Sequence, residues 1–147
     1  MSAFLLGLFL IFSTVTHADD TTKVTHWTKK TLLNTLAIRY NDTSTDNEQH
    51  SIGLTPAAWS SVAAFIENYL PQMRDKQLTL HPAFLIGPKI VDSGTAANIP
   101  FWRINAEIIL PEINKKVFFS LIVLATKSSP KDPYLVHSIT LNPQVNP

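Results

Sequence analysis

The sequence predicts an α+β domain, with two N-terminal helices packed on a curved antiparallel sheet of four or slightly more strands. Three observations lead there. Residues 23–69 hold two stretches of helical apolar period, and residues 78–141 change to a period of two. The strands follow one another with only short polar breaks between them. A parallel α/β fold would alternate strands with helices, so helices first and strands after favour an antiparallel sheet covered by helices.

The chain opens with Ala3–Phe12, a ten-residue apolar block, followed by the more polar Ser13, Thr14, Thr16 and His17. Such a block is too short to cross about 30 Å of hydrocarbon, which takes about 20 helical residues. Thr16 and Ala18 place small residues at −3 and −1 of a cleavage point before Asp19. Residues 1–18 therefore read as a signal peptide, although Lys and Arg are absent before the block. Residues 19–147 read as one exported domain, periplasmic or secreted, with no stable membrane span in the mature chain.

In the first helix, Lys23 to Tyr40, Leu33, Leu36, Ala37 and Tyr40 form an apolar stripe. Asn41 to His50 contains no apolar residue and reads as an exposed loop. The second helix opens at Leu54-Thr55-Pro56, where Thr55 can cap an orphan amide and Pro56 loses no bond at the first helical position. Trp59, Val62, Ile66 and Tyr69 then share a stripe flanked by Ala58 and Phe65, and Pro71 ends it.

From Leu78 the alternation is that of strands. Ala83 to Val91 is extended, with Gly87-Pro88 marking a bulge or an edge, and Asp92-Ser93-Gly94 reads as a turn. Trp102, Ile104, Ala106, Ile108 and Leu110 form the inward face of the next strand. Val117 to Ala125 is almost continuously apolar, as in a central strand buried on both faces. Ser128 to Pro133 is a turn. In the last strand Leu135, His137, Ile139 and Leu141 share one face.

The composition excludes several chemistries. Twelve basic and eleven acidic side chains give a net charge of +1 without a basic stripe, which argues against nucleic-acid binding. The absence of cysteine excludes disulfides, thiolate metal sites and a Cys nucleophile. His26, His50, His81 and His137 show no metal-ligand spacing, and no nucleophile elbow or phosphate-binding loop is present. Glu107 shares a solvated strand face with Arg103 and is expected to form a charge pair with it. No catalytic residue, cofactor or metal is therefore expected. Two residues stand apart. Trp27, among His26, Lys29 and Lys30, is the candidate exposed anchor for a partner; His137 is the candidate acid or base of a sheet pocket.

Leu54-Thr55-Pro56-x-x-Trp59, running on to Phe65, resembles the F-T-P-x-G-W helix start of the IcmL/DotI family. Trp27 near the start of the first helix, Gly87-Pro88 before a strand, and Phe101-Trp102-Arg103-Ile104-Asn105 extend the likeness over residues 23–141. Members are inner-membrane components of the type IVB (Dot/Icm) secretion system. The resemblance implies a cone-like α+β fold, similar to periplasmic domains of conjugative type IV secretion scaffolds. It also implies contacts with secretion-system or envelope proteins, or self-association, without catalysis. The family glycine after the helix-opening proline is replaced at Ala57 or Ala58. Core members carry a full transmembrane anchor where this chain is expected to have a cleavable leader, so a stand-alone periplasmic or secreted relative is expected. The competing reading is a small-ligand binder or enzyme using the concave sheet face around His137.

Overall fold

A computed structural model describes residues 16–126 and 132–147. The apolar block and most of the Ser128–Pro133 turn lie outside the described residues. The elements are helices α1 (Thr16–Leu36), α2 (Ser44–His50), α3 (Pro56–Glu67) and α4 (Leu70–Lys76), then strands β1 (Ala83–Ala96), β2 (Ile99–Leu110), β3 (Lys115–Ala125) and β4 (Tyr134–Val145). The strands form one antiparallel sheet in the order β1-β2-β3-β4. The fold is α+β, as the segregated periodicities predict.

α1 buries Val24, Thr28, Leu32, Thr35 and Leu36, a stripe at helical spacing. It stops at Leu36, four residues short of the predicted end, because residues 38–40 pair with residues 78–80. The Tyr40 N–H donates to the Leu78 carbonyl (3.0 Å) and the Leu80 N–H to the Ile38 carbonyl (2.8 Å). Ile38 and Leu80 are buried by this pairing. The alternation at Leu78–Leu80 therefore belongs to a two-residue bridge outside the main sheet.

The polar segment expected as a loop contains α2. Thr43 caps it: its Oγ1 accepts from the Asp46 N–H (3.3 Å), while the Asp46 carboxylate accepts from the Thr43 N–H (2.9 Å). No residue of α2 is buried, so the capping box and ionic contacts hold it where an apolar stripe does not. α3 begins where Leu54-Thr55-Pro56 predicts. Thr55 Oγ1 accepts from the Ala58 N–H (3.2 Å) and donates to the His137 carbonyl (2.8 Å). The backbone around Thr55 also bonds to β4 on both sides of Val136, Val136 N–H to Gly53 O (2.8 Å) and Thr55 N–H to Val136 O (3.0 Å). The start of α3 is thereby fixed to the edge of the sheet. Gly53 (φ +84°) lies under Trp27, where a Cβ would come within 3.0 Å of the indole.

β1 is an edge strand with three register irregularities, two of them around Gly87-Pro88 as anticipated. The expected turn at Asp92–Gly94 is instead strand. β1 continues to Ala96, and the reversal is made by Ala97 and Asn98, both with positive φ (49° and 63°). Two such residues form the tight turn whose twist matches that of paired strands.

The inner face of the sheet presents Ile104, Ala106, Ile108 and Leu110 from β2, and Val117, Phe119, Leu121 and Val123 from β3. All are buried with Val24, Leu32, Leu36, Val62, Phe65 and Met73 of the helices. The opposite face of β3 is not covered as predicted: Phe118 is 40% exposed, and Ser120, Ile122 and Leu124 are half-buried. The helices lie on one side of the sheet, and among the described residues no element packs on the other.

Candidate contact surface

The helix-free face follows from the strand register. Across β2, β3 and β4 its rows read Phe101–Leu124–Leu135, Arg103–Ile122–Ser138, Asn105–Ser120–Thr140 and Glu107–Phe118–Asn142. Apolar side chains thus occur at both ends of a surface whose middle row is neutral and polar. Glu107 pairs with Lys116 (3.2 Å) rather than with Arg103. The reason is register: Lys116 stands opposite Ile109, a diagonal neighbour of Glu107 on the same face, whereas Arg103 stands opposite Asp92.

His137 occupies a bulge. Ile122 stands opposite Ser138 and Val123 opposite Val136, leaving His137 as the extra residue. The bulge reverses the alternation, so Tyr134 and Val136 point inward before it and Ile139 after it. The predicted common face for Leu135, His137, Ile139 and Leu141 therefore fails in its first half. His137 is exposed on the helix-free side, at the rim of an open hollow of about 350 Å³ lined by Ala96, Ile99, Phe101, Ile122 and Leu124. That volume lies within the range of ligand sites, but the convergent polar groups that orient a ligand are missing. The lining contains no carboxyl group to partner the imidazole.

Trp27 is half-buried rather than exposed. Its ring lies 5.5 Å from that of Tyr134, which in turn lies 5.6 Å from Trp102, joining α1, β4 and β2 in one aromatic cluster. Each separation is that of a favourable tilted or edge-on pair.

Two further histidines, His50 and His81, serve local geometry. His50 Nδ1 donates to the Asn34 carbonyl (2.8 Å), and its Nε2 lies 3.0 Å from Asp42, whose other oxygen accepts from Arg39 Nε (2.8 Å). Arg39 also reaches Asp46 (3.2 Å). The Thr43 backbone N–H and then the Thr43 hydroxyl hold the Asp46 carboxyl below the usual carboxylate range, with help from the Arg39 and His50 charges. His81 Nδ1 lies 2.7 Å from Glu112. Burial pushes the Glu112 carboxyl up, but hydrogen bonds from its own backbone and from the His81 ring and N–H outweigh that and leave it lowered. Among the described residues, no three His, Cys, Asp or Glu side chains gather as a metal-binding group. A cleft beside this network, lined by Ile38, Tyr40, Asp42, Trp59 and Arg74 among others, encloses about 110 Å³. It is smaller than ligand pockets of roughly 300–1,000 Å³.

What the sequence reading missed is the helix-free face itself. The signal was present in Val117–Ala125, which is apolar at both parities although the chain offers too few helices to cover two sheet faces.

This arrangement of helices and meander superposes on the periplasmic domain of DotI with a TM-score of 0.69, covering 84% of this chain and 95% of that one at 14% identity. The chain has the DotI periplasmic fold. A periplasmic fragment of TraM is similar with a TM-score of 0.67, at 8% identity over 86% of this chain and 98% of that one. An IcmL-like type IV secretion system protein from Legionella pneumophila gives 0.53, at 15% identity over 86% and 94%. No family model and no curated protein matches the sequence. At identities this low the likeness is one of fold, and within the Leu54-Thr55-Pro56 triplet that carried the resemblance it is Thr55 that bonds the start of α3 to β4. No helix among the described residues is long and apolar enough to cross a membrane.

Proposed function

We propose that this chain is an exported, non-enzymatic component of the cell envelope that acts by protein contacts in or near a type IVB secretion system. Residues 1–18 are its leader and residues 19–147 its mature domain. The observation supporting a contact role is the helix-free sheet face, where Phe118, Ile122 and Leu124 stay partly open beside a neutral polar row. Large side chains left open on a central strand are what a partner surface buries. Similarity to DotI, TraM and an IcmL-like protein supports the secretion setting. Trp27 is a second contact residue through the part of its ring that is not packed against Tyr134.

Photo-crosslinking in native envelopes tests this reading. A crosslinker at Phe118 is expected to capture secretion-system proteins, and one at Asp75 on α4 is not. Capture from Asp75 alone would overturn it. The competing reading places a small apolar ligand in the hollow beside His137. It requires His137→Gln to abolish function in folded protein while leaving Phe118 crosslinks unchanged.

A further inference from the structure

Residues 93–102 of the β1–β2 hairpin carry no charged side chain, and residues 91–100 are all exposed. Val91 and Ile99 are 49% and 43% exposed, and Ala96, Ile99 and Phe101 form one wall of the apolar hollow. This tip shares an end of the molecule with the start of α1. Asp20 and Thr21 border a cleft with Ser93, Gly94 and Thr95, whereas Lys29, further along α1, sits 6.0 Å from the Phe84 ring near the other end of β1. The N-terminus of α1 and the hairpin tip therefore point the same way. Thr16 lies one further turn out, about 6 Å beyond Asp20 at the helical rise, and only residues 13–15 separate it from the apolar block Ala3–Phe12. The far end of the sheet, around Glu112, Lys115 and Lys116, is charged.

We infer that, while residues 1–18 remain attached, this end of the domain rests on a lipid bilayer with the β1–β2 tip seated among the headgroups. A ten-residue apolar block does not span the hydrocarbon, so its hold on the membrane is strengthened by a second apolar contact at the same end. Recognition is apolar: residues 1–22 and 90–102 contain no Lys or Arg, and Asp20 and Asp92 border the surface. Binding therefore does not require anionic lipid, unlike that of a polybasic segment.

The absence of native cysteine makes a single-site probe possible. Asn98→Cys at the tip and Asp75→Cys on α4 are labelled with an environment-sensitive fluorophore in the full chain and mixed with phosphatidylcholine vesicles carrying a nitroxide quencher in the headgroup. Severalfold stronger quenching at position 98 than at 75 is expected, reduced by Ile99→Asp and unchanged when anionic lipid is added. Equal quenching at both positions, or failure of the full chain to sediment with vesicles, would overturn the inference. So would a change at position 98 that needs only higher protein concentration, which would assign the tip to a second copy of the chain. None of these outcomes affects the Phe118 crosslink, so this inference and the proposed contact face fail separately.

Discussion

Thr55 joins two parts of the molecule with one hydroxyl, accepting from the Ala58 N–H at the start of α3 and donating to the His137 carbonyl at the β4 bulge. Thr55→Val keeps the shape and removes both bonds. The expected loss is about 1–3 kcal/mol, combining a helix cap with a carbonyl left unpaired, and Thr55→Ser should recover most of it in urea unfolding. Trp59 is expected to matter less than a fully enclosed aromatic, because it is half-buried at the rim of the small cleft with Ile38 and Tyr40. Trp59→Ala should destabilise by about 2 kcal/mol, below the 3–5 kcal/mol of fully buried aromatic truncations. An unchanged urea midpoint would contradict its packing role.

Among the elements, α2 is the one held by charge and capping rather than by burial. The Asp46 carboxyl is lowered in the folded chain, so its contribution is fully present above the unfolded value of about 3.9 and is lost as pH falls through the lower folded value. Glu112 is lowered too and contributes with the same sign. Acidification from pH 5 to pH 2 should therefore open α2, with its amides losing exchange protection before those of β2 and β3. Protection lost uniformly across the chain would contradict this order. The same element shows where sequence reading stopped. Amphipathic stripes and alternation made α3, β2 and β3 legible, because burial writes a period into the sequence. α2 has no buried residue, and its only signal was the Thr43-x-x-Asp46 capping pair. The end of α1 and the length of β1 were illegible for another reason. The first is decided by partners distant in sequence, Leu78–Leu80, and the second by a hairpin reversal at Ala97–Asn98 that contains no glycine, while the turn-forming residues Asp92–Gly94 lie within the paired strands.

For the molecule as a whole, the fold was legible and the orientation of its surfaces only partly so. Trp27 and His137 were singled out by their neighbours in sequence, but a single bulge at His137 turned that residue to the helix-free side. Trp27 was drawn into the cluster with Tyr134 and Trp102. The asymmetric sheet, sealed by helices on one side and open with apolar side chains on the other, is the feature on which the proposed function rests. Its most direct test is cofractionation of a Phe118→Asp/Ile122→Asp variant with secretion-system proteins from native envelopes, alongside Trp27→Ala. Both positions lie on the outer face, so the double variant should keep its thermal transition and yet leave the high-mass fraction. A variant that stays folded and remains in that fraction would contradict the account.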